Sequence, residues 1–405
     1  MTINFSIVGK LSLPKESDKF KNYEDNKYPS GWINRTLKFN IASGYNSFLN
    51  QVKGGKFEDE HNLVYLRSVD GTDDNGKKIE GENFTIPWKE RLTHPRLKEV
   101  VGNRKFCIDL EEPNRRWKLK NALEKLKEGK ELTEEELKEL NVSKTEDLES
   151  ELEKSEKKLK EFVTEWDYAE FLHKVVNSEK YKDRKFKVNG EYQMQYAEST
   201  GRWFNNYVPK RIYLVDDNEE ETATATVDLF FNSESLDKTS VDDNGKYYVN
   251  GYVFVYDRNR KANIPAPYQI VIPVAEEGNE KDKKREEVQV KRFECDDEDT
   301  VYEYRCEVKL LNGSQLEKIT FDDLTEEEQD SILIGEKTLE ELQRELGGGK
   351  FGERVVENVF VKPARGFSKG RIESGYTAED LVIKSLDEDP FKKDSTEDEE
   401  EDLFA

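Results

Sequence analysis

Gly31–Phe57 reads GWINRTLKFNIASGYNSFLNQVKGGKF. Its first half alternates: Leu37, Phe39 and Ile41 fall on one side of an extended chain, and Thr36, Lys38 and Asn40 on the other. The second run, GYNSFLNQVKGG, follows at once and is bounded by glycines. Two adjoining strands of this kind predict a β-rich domain with one covered face. The same stretch sets Trp32, Tyr45 and Phe48 beside Arg35, Lys38, Lys53 and Lys56.

To either side of it, INFSIVGKLSL, NLVYLRSV, ENFTIPW and RKFCIDL are strand-like. Short strands at this spacing predict a small barrel or sandwich over residues 1–112. Residues 113–178 change to helical periodicity and predict a helical insertion. LTEEELKELNV opens with a capping box, Thr133 to Glu136. Leu123, Leu126, Leu132, Leu137 and Leu140 form a narrow apolar stripe. TEDLESELEKSEKKLKEFVTEWDYAEFLHKVV reads as one long helical pattern.

A second β-rich hairpin region covers 179–275. Within it KFKVNG (Lys185–Gly190) echoes KYYVNG (Lys246–Gly251), and each Asn-Gly pair is a hairpin-turn signal. Residues 276–386 mix strands with short helices, and EGNEKDKKREE reads as a charged loop. Residues 387–405 read as a disordered acidic tail.

The net charge of −23 argues against a uniformly basic nucleic-acid binder, but the charge is uneven. Asp387–Asp402 holds ten acidic residues and two lysines. Ile86–Lys120 is rich in Lys and Arg. No metal site is predicted: His61, His94 and His173 lack ligand spacing, and Cys107, Cys295 and Cys306 are scattered. The sparse cysteines read as thiols in a reducing cytoplasm. No signal peptide, membrane span, nucleophile elbow or phosphate loop is recognisable, so the expectation is a protein that is not an enzyme and needs no cofactor.

What the chain does offer is rings beside cations, the two devices that hold unpaired nucleic acid. A second cluster, IPWKERLTHPRLKEVVGNRKF, contains Trp88, Lys89, Arg91, Arg96, Arg104 and Lys105. A third, GRWFNNYVPKR, contains Arg202, Trp203, Tyr207, Lys210 and Arg211, with Trp203 in a turn-like stretch. The chain ends in EDEEEDLFA, an apolar tip on a charged leash. Asp402, Leu403 and Phe404 are the candidates for docking on a partner protein.

That ending resembles the C-termini of bacterial single-stranded DNA-binding proteins, which close on carboxylates and Pro-Phe. Here the tip is Leu403-Phe404 with an added Ala405. GWINRTLKFNIASGYNSFLNQVKGG, CIDLEEPNRRW, EWDYAEF and VKPARGFSKGR together look like a large single-stranded DNA-binding family of phages of Gram-positive bacteria. The resemblance implies an oligonucleotide-binding (OB) barrel and a role in phage DNA replication or recombination in the host cytoplasm.

The resulting expectation is an α+β, β-rich chain with one or two OB-like barrels. It would bind single-stranded DNA without sequence preference. Stacking falls to Trp32, Tyr45, Phe48, Trp88, Trp203 and Tyr207, and phosphate pairing to Arg35, Lys38, Lys53, Lys89, Arg91, Arg202 and Lys210. The tail would recruit replication or recombination proteins. The oligomeric state is left open. The alternative is a non-enzymatic phage structural or assembly protein whose rings serve only core and interface.

Overall fold

The computed structural model describes residues 3–58, 62–72, 78–103, 106–241, 245–275, 279–297, 299–316, 321, 324–338, 351–367 and 370–383. The fold is mixed α/β and sheet-rich. The chain divides into two compact units: one of Thr2–Ile41 and Leu49–Thr222, the other of Ala42–Phe48 and Ala223–Ile383. Among the described residues no helix is long and apolar enough to cross a membrane.

The N-terminal unit contributes β1 (Ile3–Ser12), β2 (Tyr23–Lys27), β3 (Trp32–Ser43), β4 (Asn46–Phe57), β5 (Leu63–Arg67), β6 (Gly71–Thr72), β7 (Lys78–Ile79), β8 (Asn83–Pro87), β9 (Phe106–Asp109), β10 (Leu159–Phe162), β11 (Lys185–Ala197) and β12 (Arg202–Leu214), the β3–β4 turn excepted. Its helices are α1 (Arg115–Lys127), α2 (Glu134–Glu139), α3 (Leu148–Glu156) and α4 (Glu165–Val176). Strand β1 pairs antiparallel with β11, and β11 antiparallel with β12. Strand β12 meets β4 in parallel at Tyr207↔Asn50, β4 neighbours β3, and β3 returns to β1. The alternating residues then meet on one side: Phe5, Ile7, Leu37, Phe39, Ile41, Val52, Phe186, Val188 and Ile212 are all buried. Each such side chain contributes roughly 1.5–3 kcal/mol.

The C-terminal unit contributes β13 (Ala223–Phe231), β14 (Leu236–Asp237), β15 (Lys246–Asp257), β16 (Ala262–Pro273), β17 (Thr300–Leu316), β18 (Phe351–Pro363) and β19 (Ile372–Thr377), with α5 (Glu280–Lys291) and α6 (Glu326–Leu333). Its pairings also return to their start. Strand β13 pairs with β15, β15 with β16, β16 in parallel with β18, β18 with β17, and β17 with β13. Leu229, Val253, Ile270, Tyr304, Val308 and Phe360 are buried there.

Several expectations change. Both Asn-Gly pairs lie inside strands, not at turns. A Cβ on Gly190 would stand 2.2 Å from the Val208 carbonyl oxygen and 2.7 Å from the Phe5 ring. On Gly251 it would stand 2.8 Å from the Leu229 side chain. These glycines permit close strand approach, while the turns fall at 198–201 and 258–261. The echoed hairpins also differ in pairing: β11 joins β1 and β12 within one unit, β15 joins β13 and β16 within the other.

The long helical pattern from Thr145 breaks at β10, which pairs with β9. Thr164 then starts α4 by accepting from the Asp167 amide. The leucine stripe does pack together, with Leu140 buried among Leu119, Ala122, Val142 and Leu148. The charged loop is instead α5, whose cap Asn279 accepts from the Asp282 amide.

Candidate nucleic-acid interface

Arg35 shows how cations are used inside the N-terminal unit. Its Nε and Nη2 donate to the two carboxylate oxygens of Asp25 at 2.8 Å each, and Nη1 donates to Glu170 at 3.1 Å. The guanidinium lies 3.8 Å from the centre of the Trp166 ring, and Lys56 stands 4.8 Å over the same ring. Arg35 is therefore a structural clamp between β2, β3 and α4, not a phosphate contact. It holds the Asp25 carboxyl below the usual carboxylate range, first through these hydrogen bonds.

A depressed carboxyl stabilises the fold above its unfolded pKa, and that contribution fades as pH falls through the lower folded value. The stability gap between wild type and Arg35→Ala should therefore shrink from about pH 6 to about pH 3. Urea denaturation at both pH values checks this, and a constant gap would count against the clamp.

The second cluster is also engaged. Trp88 is half-buried, with the Arg91 guanidinium 4.6 Å over its ring. Arg91 donates from Nε and Nη2 to Asp167 at 2.7 and 2.9 Å. That pair ties the short 3-10 helix Trp88–Glu90 to the first turn of α4. Lys89 is exposed. Arg104 and Lys105 lie outside the described residues.

On β3 and β4 the outward-facing set is mixed. Phe48 is fully buried, which alternation explains: it shares its face with Asn50 and Val52, also fully buried. It is core, not a stacking ring. Tyr45 is exposed. Lys38 is half-buried over the Phe20 ring at 4.8 Å. Trp32 is half-buried and lies across Gly55, where a Cβ would come within 1.9 Å of its ring. Its other edge meets Phe57 at 4.9 Å. Lys53, Leu49 and Phe57 are exposed on the same face of β4.

The third cluster has the most distinctive setting. Beyond Tyr192 and Tyr207, β11 and β12 pair only with each other among the described residues. Trp203 is on strand β12 rather than in a turn, directly opposite Tyr196, with ring centres 5.2 Å apart. Tyr192 and Tyr207 face each other at 4.8 Å on the same side, and Tyr207 abuts Phe5 at 5.2 Å. Burial pushes the hydroxyls of Tyr192 and Tyr207 above their usual pKa, and Tyr192 is hydrogen-bonded to Asn205. Gln193, Gln195, Phe204 and Asn206 are exposed on the opposite side. Residues 192–197 and 202–207 hold Arg202, five aromatic rings, four amides and no carboxylate, in a chain of charge −23; the turn between them adds Glu198.

No protein-family model and no curated protein matches the chain. Among solved structures, a similar one covers 76% of this chain and 86% of its own. It is a deletion mutant of the single-stranded DNA-binding protein from Thermus aquaticus, at 8% identity and a TM-score of 0.25. A score that low carries no argument.

Further down the hairpin the cations are taken again. Lys210 pairs with Glu191 on β11. Among the described residues no ion pair engages Lys53 or Arg202. Asp402, Leu403 and Phe404 lie outside the described residues. Tyr192, Tyr196, Phe204 and Phe57 join the candidate surface only in three dimensions. Cross-strand register is what puts Tyr196 against Trp203.

Proposed function

We propose that this protein binds single-stranded DNA without sequence preference and does no catalysis. The observation that carries the reading is the outer part of the β11–β12 hairpin, whose paired strands carry four rings on one side, Phe204 and exposed amides with Arg202 on the other, and no carboxylate outside Glu198 of the turn. Rings stack on any base at roughly 1–3 kcal/mol each, amides bond base edges, and a lone cation meets the phosphate.

The pairing order supports a finer reading, in which each unit is a five-stranded OB-like barrel. In chain order the N-terminal circuit is first–second–third–fifth–fourth, with third and fifth parallel, and the C-terminal circuit repeats it. OB barrels hold strands on the second and third strands and on the loop between the fourth and fifth. Here those are β3–β4, with Trp32 and Lys53, and the β11–β12 end, with Arg202 and Trp203.

The working role is in phage DNA replication or recombination, with Asp402, Leu403 and Phe404 recruiting partner proteins. Deleting Asp402–Ala405 should abolish recruitment while strand affinity is kept or raised. Unchanged recruitment would reject the docking role.

Fluorescence anisotropy with a labelled dT oligomer and a labelled duplex tests the main reading. The oligomer should bind far more tightly, with log affinity falling linearly against log salt at about 0.7 per phosphate contact. A structural protein with packing rings would show no salt-dependent binding.

A further inference from the structure

We propose that the C-terminal unit makes its own contact with single-stranded DNA at the end of the β15–β16 hairpin, an inference that rests on the strand-binding reading above. Strand β15 leaves its other neighbours at Tyr252, and β16 meets β18 at Val271. Residues 253–266 therefore pair only with each other among the described residues.

One face of β15 carries Tyr252, Phe254 and Tyr256 in alternation. The chain itself covers the first part of this row. Tyr376 of β19 lies flat on Phe254, with centres 3.9 Å apart and planes 18° apart. Leu381 closes a cluster with Phe230, Phe254 and Val301, and Ser374 Oγ donates to the Val301 carbonyl at 2.8 Å. The face thus accepts a planar group in stacking geometry, and its covered part is not open to a base.

Tyr256 is the next ring in the row and is 61% exposed. Arg258 and Lys261 are exposed beside it. Asp257 is the sole carboxylate of residues 253–266. It accepts from the amides of Asn259 and Arg260 at 2.8 and 2.9 Å, so it is turned to the backbone. An exposed ring, two exposed cations and a carboxylate held by backbone amides at the hairpin's turn fit a base and its phosphates.

The test uses the full chain and a dT oligomer carrying 5-iodouracil, cross-linked by light and mapped by mass spectrometry. Affinity against salt is measured in parallel for wild type, Tyr256→Ala, and Arg258→Ala with Lys261→Asn. Asparagine suits position 261, where φ is +50°. All five tryptophans lie in the N-terminal unit, so Trp emission reports that unit alone.

An adduct on Tyr256 is expected. The double variant should show a salt slope shallower by about 1.4, two contacts at 0.7 each, with Trp quenching retained. Adducts confined to the N-terminal unit with an unchanged slope would overturn this contact and leave the first reading standing. Absence of both adducts and quenching would overturn both.

Discussion

Replacing Trp203 by Ala is expected to weaken binding of a dT oligomer by about 5- to 150-fold, the equivalent of ~1–3 kcal/mol for one lost base stack. Trp203 is half-buried against Tyr196, in a part of the hairpin that pairs with no third strand among the described residues. Its removal should therefore leave thermal unfolding nearly unchanged. Tyr196→Ala should weaken binding in the same direction. Because the two rings touch, the double variant should lose less than the sum of the single losses. A large fall in melting temperature with unaltered affinity per folded molecule would make Trp203 a packing residue only. Filter binding and calorimetry on the same preparations separate these outcomes.

Gly54→Ala should have the largest effect on stability. A Cβ there would stand 2.4 Å from the Trp166 amide nitrogen and 2.6 Å from the Glu165 carbonyl carbon. Both are backbone atoms at the start of α4, so no side-chain rotation relieves the clash. Overpacking costs typically 1–3 kcal/mol, and here the upper end, about 3 kcal/mol, is expected. For a unit of this size that is a fall of roughly 6–12 °C. The displaced helix would also pull Trp166 from under Arg35 and Lys56. Gly71→Ala is the control, since a Cβ there meets nothing within 4 Å and its φ is not positive. Equal melting temperatures for the two variants would contradict the tight seat of α4 on β4.

Strand β3 was legible because its apolar residues alternate, although Thr36 on the other side is buried as well. Leu37, Phe39 and Ile41 are buried, as their spacing requires. The Thr133 capping box was legible because its partners are three residues apart and both local bonds form. Long-range facts were not. Nothing near Arg35 in sequence announces Glu170 or Trp166, so a cation beside rings read as a phosphate ligand when it is an internal clamp. Phe48 misled in the opposite way: next to polar residues it looked exposed, but alternation with Val52 sends it inward. The Asn-Gly pairs misled because glycine serves a turn and a close strand approach equally well, and only the neighbouring strand decides. Tyr196 and Tyr192 became visible once hairpin register set them against Trp203 and Tyr207.

The most direct test follows tryptophan emission while the intact chain is titrated with a dT oligomer at low and high salt. Quenching that weakens as salt rises, and that is reduced in Trp203→Phe with the remainder left to Trp32, is the expected result. Emission unaffected by the oligomer, or full quenching that survives Trp203→Phe, would contradict single-stranded DNA binding at the β11–β12 hairpin.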